Sequence, residues 1–598
     1  MRLGHPGRRA RMLMVAMLFI FSLFTAQIIR VQGVDAAAVS AKARDSRLHH
    51  ENVPALRGQI VDDKGAALAT SVQRYNVTAD ATQTSQYKSF VNGRTTVLGN
   101  SGVAAGLASV LGGSAKQYYA TLQAATQRKS RFVYLVKNVT PEQWQRVLAL
   151  KLGGIYPEST QTRQYPQGAS ASSIVGWVDA GSSAGAGGVE LMEQGILNGR
   201  PGVRTYEEAP DGTVIATGSN SDTPAVNGSN VKLTLDSDIQ YYASNALAAG
   251  VKKTRAEAGD LVVMDRQGNV LAAASYPSFD PTNPGAASPG NLQPRGFAET
   301  YEPGSTSKII TMAAALSAGV ATPTSQVIVP SQLRRGGALF HDSEPHGTES
   351  LTVAGVLAES SNMGTMLTGS KVSSDYLYGF MRKFGLGAPT GVGFPGETGG
   401  IVAPPSQWSG SQKYTVMFGQ GLSTTLMQQA SVYQTVANDG VRLPVNLIAG
   451  VQNASGGWTK PADSRKPVRV ISTGVASQLR TMLSGVVGQD GTAQKAKVAG
   501  YNVAGKTGTA ELYDAKLGRY NGYTASFIGM APAENPQYIV AVALQNPKTT
   551  IYGGEAAAPI FSQVTGYVLR TRGVAPSRKP VSLYPIQYAA VSTEQRPK

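Results

Sequence analysis

The chain has no cysteine among its 598 residues and only five histidines. The first absence excludes disulfide scaffolds, thiolate metal sites, iron–sulfur clusters and cysteine nucleophiles in one step. The histidines (His5, His49, His50, His341 and His346) are too scattered for most histidine-based metal sites, and there is no HExxH. Any nucleophile must therefore be serine, threonine, lysine or a carboxylate. No RRM, KH or zinc-finger signature is present, so nucleic acid gains no support from the net charge of +17. That charge fits an anionic membrane, an acidic polymer or a plain solvated surface. Hydrophobic residues at 42% and 68 glycines are ordinary for a globular chain, and at ~150 residues per domain the length predicts about four units.

Long apolar runs are also scarce, with one exception. Arg2, Arg8, Arg9 and Arg11 precede an apolar segment from Met12 to Ile29. At ~1.5 Å per helical residue that segment spans roughly 27 Å, close to a hydrocarbon core of about 30 Å. The basic cluster predicts the N-terminus inside and the remainder outside. A cleaved signal peptide is the competing reading, but the run is long for one and Ala36-Ala37-Ala38 is a distant cleavage site. An uncleaved anchor is expected.

From Arg30 to Gly228 short β-like runs such as 131–136 mix with one helical stretch, 143–150, and no chemical motif emerges. Residues 230–235 read as a strand and 237–251 as a helix. Asp260–Asp265 and Val270–Ser275 then read as a hairpin. Two late strands, 524–530 and 538–544, precede a closing helix at 556–569. Strands at both ends around a helical middle predict an α+β layout with an antiparallel sheet. Beyond Arg572 the Pro- and Arg/Lys-bearing tail is expected to be unstructured.

Three pattern matches carry possible chemistry, and two fail on context. Gly181-Ser182-Ser183-Ala184-Gly185 fits a GxSxG elbow but lies in glycine-rich low-complexity sequence, better read as a flexible loop. Residues 500–507, ending Gly505-Lys506-Thr507, fit a Walker A expression. No buried strand precedes them, and Gly508-Thr509 opens a helix poorly.

The third match is Ser305-Thr306-Ser307-Lys308. Alone this SxxK is weak, since Ser85-Gln86-Tyr87-Lys88 fits too. Only the later one has Pro303-Gly304 before it and the strong helical run 309–316 after it. Ser305 then opens a helix with Lys308 one turn on, where an amine can take the hydroxyl proton and free N–H groups can face an oxyanion. Ser360-Ser361-Asn362 and Lys506-Thr507-Gly508 follow in order. A second ammonium is expected to lower the pKa of the first, as serine–lysine catalysis at neutral pH requires.

The three motifs in this order, SxxK, SxN and KTG, resemble those of the penicilloyl-serine transferases. The surroundings 301–308, 358–364, Phe418-Gly419-Gln420-Gly421 and 505–510 are similar to landmarks of class B penicillin-binding proteins. Upstream, Arg57-Gly58-Gln59-Ile60, Arg163-Gln164-Tyr165-Pro166 and Gly188-Val189-Glu190-Leu191 resemble that family's non-catalytic pedestal. Residues 27–35 and 408–414 are most similar to the division-specific septal transpeptidases of actinobacteria.

The resemblance implies a cytoplasmic tail at 1–11 and a transmembrane anchor at 12–29. An elongated mixed α/β pedestal of the dimerisation type would take 30–228, an α+β transpeptidase domain 229–572 and a flexible tail 573–598. It implies a D,D-transpeptidase in which Ser305 attacks the penultimate D-Ala of a stem peptide, releasing D-Ala and forming an acyl-enzyme. Lys308 would be the general base. Ser360 would relay a proton to the leaving amine, and Asn362 would hold Lys308 or the stem amide. Lys506, Thr507, Gly508 and Thr509 would bind the terminal carboxylate, with the N–H groups of Ser305 and Thr509 as oxyanion hole. An amine of a second stem peptide accepts the acyl group, β-lactams mimic the donor, and no metal or cofactor is required. Partners implied are a SEDS-type glycan polymerase and divisome proteins, at the cell membrane, with the catalytic domain extracytoplasmic. An elongation-type transpeptidase, a D,D-carboxypeptidase or β-lactamase, and a mainly scaffolding division protein remain open at this point.

Overall fold

The computed structural model describes residues 6–45, 47–91, 93–181, 183–207, 215–218, 220–514 and 517–589. The chain folds as two compact units. The smaller comprises Met1–Leu56, Gln73–Gln161 and Gly199–Gly228, the larger Arg57–Val72, Thr162–Asn198 and Ser229–Lys598.

The smaller unit begins with the helix Pro6–Ile29, whose residues are all exposed. That helix contains the expected span 12–29 and starts earlier, taking in Arg8, Arg9 and Arg11. Elsewhere in this unit Val103, Leu107, Leu122, Val139, Trp144 and Val147 form a core of their own. The helix expected at 143–150 runs over Pro141–Ala149: Thr140 and Gln143 close a reciprocal capping box and Pro141 sits at its first position.

The larger unit is built on a five-stranded sheet. Its strands are β1 (Ala258–Asp265), β2 (Val270–Tyr276), β3 (Ala504–Asp514), β4 (Arg519–Ala531) and β5 (Tyr538–Gln545). The order is β2-β1-β5-β4-β3, and every neighbouring pair is antiparallel. Strand β5 pairs with β1 without interruption from Ala258↔Gln545 to Asp265↔Tyr538, so sequence-distant strands close the sheet's centre. Consecutive residues Ile539–Leu544 are all buried, which requires cover on both faces. Helices Ser237–Thr254 and Ala558–Thr571 pack on each other and on the sheet, and Leu426–Ala437 packs on β1 and β5. This is the α+β layout expected.

The Walker A reading fails outright, because Lys506 and Thr507 lie within β3 and no helix follows them. The GxSxG residues Gly181 and Gly185 lie in an irregular loop closed by the bridge Val178↔Gly185, while Ser182 falls outside the described residues.

One cut between the units falls at Gly228/Ser229, and the larger unit also takes in Arg57–Val72 and Thr162–Asn198. Ile60 pairs in parallel with Val231, and buried Glu190 receives the Nε–H groups of Arg57 and Arg163 at 2.6 and 2.7 Å. These ties fold Arg57–Val72 and Thr162–Asn198 into the larger unit.

The tail expected to be unstructured, 573–598, packs against the larger unit's core over its described part, 573–589. Val574, Val581, Tyr584 and Ile586 pack on the main core. Thr352 donates its N–H to the Ile586 carbonyl at 2.9 Å, and Asn502 its N–H to Ser577 Oγ at 2.9 Å. Apolar residues spaced among the prolines outweigh the basic, Pro-rich composition. Residues 590–598 lie outside the described residues.

Candidate active site

Ser305 lies in a single 3₁₀ turn, Gly304–Ser307, that runs into the helix Lys308–Ser317. Every residue from Ile309 to Leu316 is buried, so this helix is a core element enclosed on all sides. Hydrogen bonds to other elements fix the turn and the helix behind it. Tyr433 donates its hydroxyl to the Thr306 carbonyl at 2.9 Å, Gln429 donates its amide to Ser307 Oγ at 3.1 Å, and Thr311 donates to the Met417 carbonyl at 2.6 Å.

Gly419 explains the Phe418–Gly421 landmark. It sits at φ +85°, accepts the Gly304 N–H at 2.9 Å, and a Cβ there would lie 2.1 Å from the Gly304 carbonyl oxygen. Gly508 does the same for β3: a Cβ would meet Ser526 Oγ at 2.3 Å and the Pro303 carbonyl at 3.0 Å. Glycine lets the strand bearing Lys506 approach the serine turn closely.

The SxN motif forms the bend between helices Val353–Ala358 and Asn362–Gly369, with Ser360 at φ +64°. There Lys506 donates its Nζ to Ser360 Oγ at 2.8 Å and Lys308 donates to the same oxygen at 3.3 Å. Lys308 also donates to the Ser360 carbonyl. Lys506 reaches Thr507 Oγ1 at 3.1 Å, and Thr507 shares a hydrogen bond with Thr492 at 3.0 Å. Thr509 Oγ1 accepts the Gly553 N–H at 3.3 Å.

Both lysines are wholly buried. Burial pulls Lys308 down to about 7 against the opposing pull of the Asp342 carboxylate. Lys506 is held well below the usual ammonium range by burial and then by the charge of Lys308. The expectation that the second ammonium would lower the first is thus corrected: burial is the main cause at Lys308, and the mutual repulsion registers on Lys506.

Ser305, Ser360, Asn362, Thr507 and Thr509 line a cavity of about 500 Å³, together with Asp342, His346 and Glu359. A buried amine near neutrality, a serine on the cavity wall and a second serine held by two lysines make an arrangement suited to acyl transfer through a covalent serine ester. Asn362 borders the cavity, but no hydrogen bond joins its side chain to Lys308 among the described residues. Motif reading passed over Asp342, Tyr433 and Gln429. Each lies in a chain segment apart from the motif it contacts, so only the tertiary structure reveals them.

The transpeptidase domain of penicillin-binding proteins matches residues 259–566, and the penicillin-binding protein dimerisation domain matches 52–233. Penicillin-binding protein PbpB of Mycobacterium tuberculosis is 34% identical over 597 residues, covering 96% of this chain and 86% of that one. The peptidoglycan D,D-transpeptidase FtsI of Escherichia coli is 31% identical over 537 residues, covering 88% and 86%. The crystal structure of penicillin-binding protein 3 from Mycobacterium tuberculosis, complexed with ampicillin, superposes with a TM-score of 0.69 at 30% identity, covering 90% of this chain and 100% of that one.

Proposed function

The chain belongs to the class B penicillin-binding proteins and is a septal peptidoglycan D,D-transpeptidase, and we propose that Ser305 is its nucleophile and Lys308 the base that activates it. One observation carries this reading: Lys308 and Lys506 converge on Ser360 Oγ behind the cavity that Ser305 lines. With Lys308 lowered to about 7, a large fraction is neutral at physiological pH and able to accept the Ser305 proton.

Ser305 Oγ attacks the carbonyl of the penultimate D-Ala as its proton passes to Lys308 Nζ. The backbone N–H groups of Ser305 and Thr509 face the developing oxyanion; one such donor is typically worth about 10²–10³-fold. Ser360, between the two lysines, relays the proton from Lys308 to the amine of the departing D-Ala, which leaves Lys308 neutral again. Thr507, Gly508 and Thr509, backed by the charge on Lys506, receive the terminal carboxylate. An amine of a second stem peptide then attacks the ester and gives up its proton to Lys308, which passes it to Ser305 Oγ as that oxygen leaves as a hydroxyl. β-Lactams acylate the same serine and block it.

The N-terminal helix is the membrane anchor, with 1–11 cytoplasmic and the rest extracytoplasmic, supported by Arg8, Arg9 and Arg11 at its start. The pedestal segments within 30–228 precede the transpeptidase domain that begins at 229. They and the anchor would meet a SEDS-type glycan polymerase and other divisome proteins. The direct test is labelling by a fluorescent penicillin. Wild-type protein is expected to carry a stable covalent label, slow to hydrolyse, and Ser305→Ala none. Equal labelling of the variant would remove Ser305 from its role, and rapid turnover of the label would indicate a hydrolase.

A further inference from the structure

Ser360 holds a left-handed backbone conformation that is costly for a residue with a Cβ, so the neighbouring chain must fix it. The residues that follow Ser360 are held by Asp342, in the loop between strands Ala338–Phe340 and Glu349–Thr352. Its Oδ1 accepts the N–H of Asn362 at 2.5 Å and of Met363 at 3.1 Å, and its Oδ2 accepts the Ser361 hydroxyl at 2.6 Å. Ser361 Oγ in turn accepts the Gly364 N–H at 2.8 Å. The first three N–H groups of the helix Asn362–Gly369 are thereby all satisfied, two of them by one carboxylate at the positive end of the helix.

Asp342 is itself held by His346. Nε2 of that ring lies 3.2 Å from Asp342 Oδ2, and Nδ1 lies 2.6 Å from the Gly347 carbonyl oxygen. Both partners can only accept. A neutral imidazole has one N–H and makes one of these bonds, whereas the imidazolium makes both. The charged groups facing the ring are Asp342, Glu349 (Oε2 3.6 Å from Nδ1) and Glu359, and Asp342 also faces Lys308.

We propose that Asp342 is a positioning residue for Ser360, and that His346 latches it in a proton-dependent manner. With the ring protonated, Asp342 is gripped from one side and grips the Ser360–Asn362 bend with the other. Loss of the proton gives up one of the two ring bonds and loosens the bend on which both lysines converge. Burial lowers the affinity of His346 for its proton. The Gly347 carbonyl and the Glu349 and Asp342 carboxylates more than offset this, so the ring titrates above its ordinary value. The latch is therefore closed at lower pH and opens as pH rises through that titration.

The proposal rests on the assignment of Ser305 and Ser360, and the experiment keeps the two apart. Acylation of the full chain in detergent by a fluorescent penicillin is followed from pH 5.5 to 9, separating the acylation rate constant from the half-saturating concentration. Asp342→Asn is expected to lower the rate constant about tenfold or more, with half-saturation changed less than twofold. His346→Gln keeps an N–H toward Asp342 at every pH. With no group there to titrate, it is expected to lose the alkaline decline, whatever its rate at low pH. A wild-type rate constant in Asp342→Asn, or a loss confined to half-saturation, overturns the positioning role. A His346→Gln profile superimposable on wild type overturns the latch, and decides it even where Asp342→Asn folds poorly. Label found on wild type but not on Ser305 fails the underlying assignment instead.

Discussion

The SxxK pattern occurs more than once in the chain, and the copies at Ser85 and Ser305 share little beyond the Ser and Lys positions. Ser85 caps the C-terminal end of the short helix Ala81–Thr84 and donates its hydroxyl to the Thr82 carbonyl at 3.1 Å, while Lys88 is exposed on a hairpin strand. Ser305 instead opens a buried helix onto a cavity, and Lys308 is buried beside Ser360 and near neutrality. Spacing alone does not leave a lysine unprotonated near pH 7 and free to take a serine's proton. Removal from water does, because an ammonium loses hydration that few neighbours replace.

Substitutions can break or sharpen that contrast. The largest effect after loss of the nucleophile is expected from Lys308→Met, which keeps the buried volume and removes the base: penicillin acylation should fall about 10²–10⁴-fold at pH 7.5, read by timed gel fluorescence. Ser360→Ala removes the hydroxyl both lysines share, and about 10²-fold of the acylation rate should go with it. Tyr433→Phe deletes one neutral hydrogen bond to the serine turn. A loss of roughly 1 kcal/mol in urea unfolding is expected, with label still on Ser305. Ser85→Ala should leave labelling and stability unchanged within error. A measurable fall in its labelling would mean that the first copy has chemistry the structure does not give it.

The sequence made the motif residues legible because each catalytic triplet is a local string. It also made the sheet legible, since β1, β2, β4 and β5 are apolar runs with turn residues between them. Asp342 was not legible, because it acts on a helix whose first residue lies 20 positions further on. Nor was the path of Arg57–Val72 and Thr162–Asn198 into the larger unit. That depends on Ile60 meeting Val231 and on one carboxylate, Glu190, between two arginines. The C-terminal tail misled through composition: proline and basic residues read as solvent-exposed, while the apolar residues that pack are too widely spaced to form a periodic pattern. Phe418–Gly421 stood out as a landmark without a cause until Gly419 was seen touching Gly304.

Burial of Lys308 is the claim on which the mechanism turns, and the pH dependence of acylation tests it most directly. In the His346→Gln protein, where any alkaline decline from the latch is removed, the second-order rate constant for penicillin should rise with pH and level off through an inflection at about 7. A rate that keeps climbing toward about 10, where an exposed lysine loses its proton, would contradict the account.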